Sequence, residues 1–396
     1  MLYKKLVRPV LFKINPERVH DMAIFYGKLF GHFYPTRKFV NLFFSYQNNV
    51  LEQEIKGIKF VNPIGLAAGF DKDVNLMKIL PEISFGHEEI GTITALPCKG
   101  NPKPRLWRLP KQKSIVVYYG LKNPGCQAIA KKLYGKKYNF PIGISVGKTN
   151  CKETADVDIG IKDYYQTFKL LEPMGDYFTI NVSCPNAYGG LPFSSAELLD
   201  QLLTKLDNVD TDKPVFVKLP PDMKLEQVDE TISVCDKHRV DGFVISNLTK
   251  VRDNINEKDL KGIGPGGLSG KPTRNLSNKL ISEFYKKTNS RYIIVGVGGI
   301  FSAKDAYEKI RAGASLVQLI TGMIYEGPWL IKSINKGLVE LLKKDGFANI
   351  SEAVGADHKN NTENDVDSNE ESNNVNNIEE NNNTGNNSNQ DNQSKA

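Results

Sequence analysis

The chain has 396 residues, of which 40% are hydrophobic and 24% are charged, and this length suffices for one large domain with a substantial core. Its five cysteines are widely and irregularly spaced without a CxxC pair, which argues against a disulfide framework or zinc site and indicates a reducing compartment. The five histidines are equally scattered, so no metal is expected, and no apolar run approaches the roughly 18 residues of a membrane-spanning helix.

Residues 1–50 are predicted to form short amphipathic helices with eight Lys and Arg against two acidic residues, within an overall net charge of +7. Asn15-Pro16 marks a helix start, and Pro35-Thr36 opens a further segment. One face of the first of these helices collects Val19, Met22, Ala23, Tyr26, Leu29 and Phe30. The stretch 2–13 is apolar on one side and cationic on the other. This pattern is typical of a helix in a membrane interface and also of a helical cap with a solvated basic face, so both interpretations stay open. The stretch lacks interleaved aromatic platforms, so no nucleic-acid partner is expected.

Residues 51–346 repeat a strand-then-helix rhythm. Eight strand-like runs are centred on 62–68, 89–94, 142–146, 178–182, 215–219, 242–246, 292–297 and 316–320. Eight such units predict an α/β fold of the closed parallel (β/α)8 type, the TIM barrel. A doubly wound sheet is the alternative, but no GxGxxG follows the first strand. Two wider intervals, after strands two and six, leave room for lids or small extra strands.

Residues 347–396 are predicted to be a disordered tail. Among the last 46 residues fifteen are Asn, ten are acidic and none is aromatic. Such a segment cannot bury enough apolar surface to become ordered.

The run Asn181-Val182-Ser183-Cys184-Pro185-Asn186 follows the fourth predicted strand, and strand ends build the active site of such barrels. A buried strand end does not carry so many polar groups unless a ligand or neighbour satisfies them. Cys184 is therefore predicted to be a proton-transfer group or a nucleophile, with Asn181 and Asn186 aimed at a planar polar ligand. The alternatives are a polar strand end that caps its own turn and an inert buried thiol.

The other strand ends predict a flat, phosphorylated ligand. Small residues at Ala68-Gly69 admit a planar ring, and Lys218 lies inside an apolar run where it needs an anionic partner. The turns at Gly298-Gly299 and Thr321-Gly322 follow strands seven and eight, where such barrels bind phosphate. Together with the loop around Gly270, these features suit flavin mononucleotide, FMN.

Five segments, in this order, closely resemble dihydroorotate dehydrogenases: NPIGLAAGFDKD at 62–73, GNPKPRLWRLP at 100–110, NVSCPN at 181–186, GGLSGKP at 266–272 and GVGGI at 296–300. The second segment and the helical extension look like class 2, the membrane-associated, quinone-reducing branch. The resemblance implies FMN-dependent oxidation of dihydroorotate to orotate in de novo pyrimidine synthesis, with a quinone as acceptor. It further implies that residues 1–50 contact the cytoplasmic side of the cell membrane peripherally, with a soluble cytoplasmic protein as the alternative. No obligate protein partner is expected.

Carried over by position, the resemblance makes Cys184 the base that removes a proton from substrate C5 while hydride passes from C6 to flavin N5, with Lys72 as the second catalytic residue. The substrate would be held by Lys72, Tyr118, Tyr119, Gly120, Leu121, Asn181, Asn186 and Asn247. The flavin would be surrounded by Ala68, Gly69, Lys72, Thr92, Ser145, Asn181, Lys218, Ser246, Gly270, Gly298, Gly299, Thr321 and Gly322.

The chain departs from the class 2 pattern at several of these positions. Cys184 stands where class 2 usually has serine, as in class 1, and Val117 stands where the family has a substrate-binding Asn. Ser145 replaces a flavin-contacting Asn, and Ser246-Asn247-Leu248 replaces Thr-Asn-Thr. Losing one amide from a buried polar site costs about 1–3 kcal/mol. Two alternatives therefore stay open: a class 1-like enzyme using fumarate or NAD, and a flavin-binding paralogue with another substrate or no activity.

Overall fold

Eight parallel strands close into a barrel in the computed structural model, which describes residues 2–253 and 255–359. The predicted (β/α)8 fold is therefore confirmed. All eight predicted strand runs form barrel strands, and none of their ends differs from the predicted one by more than two residues.

Three α-helices and a hairpin precede the barrel. The helices are α1 (Arg8–Lys13), which continues a short π-helix, α2 (Pro16–His32) and α3 (Tyr34–Phe44). Asn15 caps α2 as predicted, because its Oδ1 accepts from the backbone N–H groups of Glu17 and Arg18. The hairpin pairs β1 (Gln53–Ile55) with β2 (Ile58–Phe60). Phe60 packs with side chains from five barrel strands and so closes the amino end of the barrel: Tyr177, Phe216, Val244, Val295 and Leu316.

The remaining strands and helices alternate along the chain. The strands are β3 (Ile64–Leu66), β4 (His87–Ile93), β5 (Leu106–Leu109), β6 (Ser114–Val117), β7 (Ile142–Val146), β8 (Tyr177–Asn181), β9 (Val215–Leu219), β10 (Gly242–Ile245), β11 (Gly267–Gly270), β12 (Ile293–Val297) and β13 (Leu316–Leu319). The helices are α4 (Cys126–Leu133), α5 (Val157–Leu171), α6 (Ala196–Leu206), α7 (Leu225–Cys235), α8 (Glu257–Leu260), α9 (Arg274–Lys287), α10 (Ala303–Arg311), α11 (Thr321–Glu326) and α12 (Trp329–Asp345).

The barrel order is β3-β4-β7-β8-β9-β10-β12-β13, and β13 pairs with β3 to close it. The two wide intervals predicted after strands two and six supply the small extra strands. From them β5, β6 and β11 form an antiparallel sheet in which β6 lies in the centre. All carboxyl ends of the parallel strands therefore meet at one end of the barrel, opposite the hairpin.

The described structure continues past the predicted boundary between barrel and tail at residue 346. The unit that contains the barrel extends to Gly355, and Ile350 and Ala353 of a short 3₁₀-helix are fully buried in its core. Asn349 Nδ2 also donates to the Glu52 carbonyl. The apolar residues at 350 and 353 supply the burial that the Asn-rich sequence after them lacks. The predicted disorder of residues 360–396 lies outside the described residues.

Many large apolar residues of the N-terminal helices are exposed, although Ile24 and Val40 pack against the core. The described residues include 22 exposed large apolar side chains, and eight of them lie outside residues 2–44. The other fourteen lie within residues 2–44: Leu2, Leu6, Val7, Val10, Met22, Phe25, Tyr26, Leu29, Phe30, Phe33, Tyr34, Phe39, Leu42 and Phe43. We call these fourteen the apolar helix surface. The barrel side of α2 instead carries Gly27 and Gly31, which lie against Leu76 and Ile79. No helix within residues 2–253 and 255–359 combines the length and hydropathy needed to cross a membrane.

Candidate active site

A cavity of about 530 Å³ lies at the carboxyl ends of the barrel strands. Nine of the residues predicted to bind the cofactor or substrate line it: Ala68, Lys218, Ser246, Asn247, Gly270, Gly298, Gly299, Thr321 and Gly322. We call it the strand-end cavity. Its walls combine small residues with one cation and one amide, which are features of small-molecule sites.

The glycines of this cavity are required by close packing of the strand-end loops. A Cβ at Gly322 would lie 1.9 Å from the Ile300 carbonyl oxygen, and one at Gly299 would lie 2.4 Å from Arg274 Cβ. Gly299 also has a φ of +73°, which other residues rarely adopt. These loops therefore present backbone rather than side chains to the cavity, as an anion site built from N–H groups needs.

Lys218 lines the strand-end cavity and has the anionic partner that its position predicts. Its Nζ lies 3.5 Å from Glu89 Oε1, and both side chains are buried inside the barrel. Glu89 Oε2 accepts further hydrogen bonds at 3.1 Å from Thr179 and from Gln318. A buried ion pair is tolerated when hydrogen bonds satisfy its remaining atoms, and here they hold Glu89 in place beside the lysine.

Five polar side chains from β4, β7, β8 and the β10 loop form one hydrogen-bond network beside the cavity. Asn181 Nδ2 donates to Thr92 Oγ1 at 2.8 Å, and Thr92 Oγ1 lies 2.9 Å from Ser145 Oγ. Asn247 Nδ2 donates to Asn181 Oδ1 at 3.2 Å and to Ser183 Oγ at 3.0 Å. The network fixes the orientation of the amides of Asn181 and Asn247, two of the residues predicted to bind the substrate.

Cys184 follows this network on the loop after β8 and is partly buried. Burial raises the pKa of its thiol. The backbone N–H groups of Asn186 and Ala187 and the charges of Lys148 and Lys218 favour the thiolate and limit the rise. The thiol is therefore protonated at neutral pH, with two lysines and two amides placed to stabilise its anion.

The Cys184 loop is fastened at Tyr188 by two side chains that follow β7. The buried Lys148 donates from Nζ to the Tyr188 carbonyl at 2.7 Å, and Asn150 Oδ1 accepts from the Tyr188 N–H at 2.6 Å. Asn150 Nδ2 in turn donates to Asn101 Oδ1 at 3.1 Å and to the Gly120 carbonyl at 3.0 Å. We call Lys148 and Asn150 the loop clamp, because they tie the Cys184 loop to the turn at Gly120.

Asn186 is buried, with one half of its amide unpaired. Its Nδ2 donates to the Val117 carbonyl at 2.8 Å, while Oδ1 has no hydrogen-bond partner among the described residues. A buried acceptor without a partner is costly, so this oxygen is a candidate ligand contact. The predicted Gly120-Leu121 turn lies beside it, and both turn residues have positive φ, 64° and 56°.

Lys72 and Tyr119 line a second cavity of about 1010 Å³, between α2 and the barrel, which we call the N-terminal cavity. Lys72 Nζ lies 3.3 Å from His20 Nε2 and 4.1 Å from the centre of the Tyr119 ring. Burial, with Lys122, lowers the pKa of Lys72 to about 8, and burial together with Lys72 lowers that of His20 to about 2. His20 is therefore neutral and accepts a hydrogen bond from the lysine.

Most predicted site residues thus meet around the strand-end cavity and its network, whereas Lys72 and Tyr119 face the N-terminal cavity. Of the rest, Gly69 donates its N–H to the Gly91 carbonyl and Tyr118 donates its N–H to the Arg105 carbonyl. Sequence reasoning missed His20, Asn101 and Asn150. The available signal for Asn150 was its place in the loop that follows the strand of Ser145.

Comparison with known proteins gives a consistent result. The family model for dihydroorotate dehydrogenase matches residues 50–342. The proteins named dihydroorotate dehydrogenase (quinone) from Gloeobacter violaceus and Nostoc punctiforme are each 38% identical to this chain, covering 89% and 90% of it and 98% and 99% of the relative. Among solved structures, Eimeria tenella DHODH in complex with ferulenol has a TM-score of 0.77 at 29% identity, covering 89% of this chain and 99% of that one. The ligand-free type from the same organism has a TM-score of 0.74 at 30% identity, covering 87% and 99%.

Proposed function

Because the chain belongs to the dihydroorotate dehydrogenase family of oxidoreductases, we propose that it oxidises dihydroorotate to orotate in pyrimidine synthesis and passes the electrons to a quinone. One observation carries the proposal. The network of Asn181, Ser183 and Asn247 borders the strand-end cavity, and the Cys184 thiol and the unpaired Asn186 Oδ1 follow Ser183 on the same loop. A planar substrate with amide and carboxylate groups suits such a site.

We propose FMN as the cofactor of the strand-end cavity. The fit rests on the loops at Gly299 and Gly322, whose close packing leaves no room for a side chain so that they offer backbone to the cavity, and on the cation of Lys218. The loops at 298–299 and 321–322 would hold the phosphate, and Lys218 would stabilise negative charge on the ring. When bound, FMN supplies the hydride acceptor for the oxidation.

Within this proposal Cys184 is the general base. Its Sγ would take the proton from substrate C5, and the charges of Lys148 and Lys218 favour the thiolate that this step requires. The loop clamp would hold the sulfur in place, since both backbone groups of Tyr188 are bonded to it. Asn186 Oδ1, Asn181 and Asn247 would hold the substrate, together with the backbone at Gly120 and Leu121. The assignment of Lys72 as a substrate and flavin contact stays a prediction, because its Nζ is directed at His20.

We further propose that the apolar helix surface rests on the cytoplasmic side of the cell membrane. Its fourteen apolar side chains and the basic residues beside them support an interfacial position for α1–α3. The N-terminal cavity lies behind α2 and is lined by Phe25, Phe70 and Tyr119, so a quinone could enter it from the membrane. A soluble acceptor such as fumarate is the second candidate, favoured by the class 1-like thiol at position 184.

Anaerobic mixing of the flavin-loaded protein with dihydroorotate tests the proposal. We expect the flavin absorbance to bleach and to return on addition of a short-chain quinone. Fumarate and NAD added in parallel identify the acceptor, since return of the absorbance with fumarate alone would favour the second candidate. A Cys184→Ala control should keep its flavin and fail to bleach. A flavin-loaded parent protein that dihydroorotate does not bleach would exclude the activity.

A further inference from the structure

A third cavity, open to solvent and of about 860 Å³, lies between α2, the segment after β3 and the end of α4. Its walls carry six basic side chains: Lys28, His32, Lys78, Lys132, Lys136 and Lys137. No acidic residue lines it within the described part of the chain. We call it the lysine pocket.

The positive charge of the lysine pocket is largely uncompensated. Lys28, Lys78, Lys136 and Lys137 form no ion pair with any residue in 2–253 or 255–359. Lys132 donates to Asn75 Oδ1 at 2.8 Å and to the Asp73 carbonyl. Burial lowers the pKa of Lys132 and the nearby Lys28 and Lys136 lower it further, although Asp71 and Asp73 act against them. The side chains are therefore close enough to repel one another, and an anion would relieve that repulsion.

The lysine pocket adjoins the apolar helix surface. Lys28 and His32 lie on one line of α2, and Phe25 and Leu29 lie on the neighbouring line, 60% and 41% exposed. A ligand that fits both features has a negative head and an apolar body. Anionic phospholipids have this chemistry, and clustered lysines beside an interfacial helix recognise them.

We propose that the lysine pocket binds the phosphate of an anionic phospholipid whose acyl chains lie on the apolar helix surface. This inference rests on the proposed membrane-facing role of α1–α3. Lys28 and Asn75 line both the lysine pocket and the N-terminal cavity. A headgroup held by the lysines would therefore turn the mouth of the N-terminal cavity toward the membrane.

Partition of the flavin-loaded full chain into lipid vesicles tests the proposal. The variant carries Lys78→Gln, Lys136→Gln and Lys137→Gln, three pocket lysines that do not line the N-terminal cavity. Its matched control carries Lys237→Gln, Lys286→Gln and Lys344→Gln, which are exposed lysines outside the pocket. Both triple variants remove three positive charges, so their comparison tests the position of the lysines rather than the net charge of the protein.

With phosphatidylcholine vesicles containing a fifth phosphatidylglycerol, we expect the pocket variant to lose about 100-fold in partition coefficient, since each lysine near an anionic surface contributes about 1 kcal/mol. The control should lose less than about threefold. On pure phosphatidylcholine all three proteins should bind equally. An equal loss in both triple variants, or no loss in the pocket variant, would overturn the inference.

Two further measurements separate the possible explanations. The first is the thermal midpoint of unfolding in inorganic phosphate without vesicles. If phosphate raises the midpoint of the parent but not of the pocket variant, and all proteins partition alike, the pocket binds a soluble anion and the lipid assignment is overturned. Reduction of a short-chain quinone by the parent in detergent tests the proposed function separately. If that activity is missing while the pocket variant alone loses its partition, the proposed function fails and the lipid site stands.

Discussion

Replacing Glu17 by Gln should weaken the attachment of α2 to the segment that precedes β5 without disturbing the strand-end cavity. Glu17 Oε1 accepts from Arg105 Nε at 3.0 Å and from Arg105 Nη2 at 2.6 Å, and both side chains are buried. The substitution keeps an acceptor but leaves the guanidinium without its counterion. Removing one partner of a buried pair costs about 3–5 kcal/mol. Arg105 Nη1 still donates to the Lys99 and Asn101 carbonyls, so we expect a value near the lower limit.

A cost of about 3 kcal/mol corresponds to about a 100-fold change in an equilibrium constant. We expect this cost to appear as a 100-fold loss of hydrogen-exchange protection in α2. Few other polar contacts hold this helix, and its barrel side carries Gly27 and Gly31. Bleaching of the flavin by dihydroorotate should be unchanged, while its reoxidation by quinone should slow. The matched control is Asp259→Asn, which removes an ion pair with an exposed Lys111 and should cost under about 1 kcal/mol.

The same ion pair predicts a pH dependence. Burial opposes ionisation of Glu17, but Arg105 and the neighbouring Lys103 and Lys122 outweigh it and lower its pKa. A carboxyl with a lowered pKa stabilises the folded state above the pKa of an unfolded glutamate, about 4.3, and loses that contribution as the pH falls below it. Protection of α2 should therefore decrease below that pH in the parent and not in Glu17→Gln. Unchanged α2 exchange in the variant at neutral pH would refute the role of this pair.

Three further outcomes are expected at the strand ends. The rate of flavin bleaching should rise with pH through the neutral range, because burial raises the pKa of the Cys184 thiol. Cys184→Ser should shift this pH profile to higher pH. An unchanged rate in Cys184→Ala would contradict the role of Cys184 as base. Gly322→Ala should lower FMN occupancy at least tenfold by equilibrium dialysis, since its Cβ would collide with a backbone carbonyl; full occupancy would exclude the loop as a phosphate site. Lys148→Met should slow bleaching and move its pH profile to higher pH, because the substitution removes a charge near the thiol and the hydrogen bond to Tyr188. The control Lys152→Met, at an exposed lysine, should match the parent in stopped-flow measurements.

The barrel was predictable because its strands are short apolar, β-branched runs with helix-length intervals between them. The polar strand ends were predictable for the same reason, since Asn181 and Lys218 stand out against apolar neighbours. The side of α2 that faces the barrel could not be predicted in this way. Its hydrophobic pattern indicates one apolar face, but Gly27 and Gly31 allow the closest approach to the barrel, and the larger apolar residues remain exposed.

The contacts that sequence reasoning missed join segments far apart in the chain. Asn150 and Tyr188 are 38 residues apart, His20 and Lys72 are 52 apart, and Glu17 and Arg105 are 88 apart. No local periodicity encodes such pairs. They depend on which strand ends become neighbours when the barrel closes, and on where α2 lies over the turn after β3.

The unusual Val117 bears on whether the site can still process dihydroorotate. Asn186 Nδ2 donates to the backbone carbonyl of residue 117, a bond that does not depend on the side chain there. The valine therefore removes one amide from the site without releasing Asn186, whose Oδ1 stays available to a ligand. The loss of about 1–3 kcal/mol would then weaken substrate binding, while the Cys184 loop and its clamp to Tyr188 remain intact. Val117→Asn should accordingly lower the dihydroorotate concentration that gives half-maximal bleaching and leave the limiting rate nearly unchanged. A gain confined to the limiting rate would show that residue 117 acts on the chemical step instead.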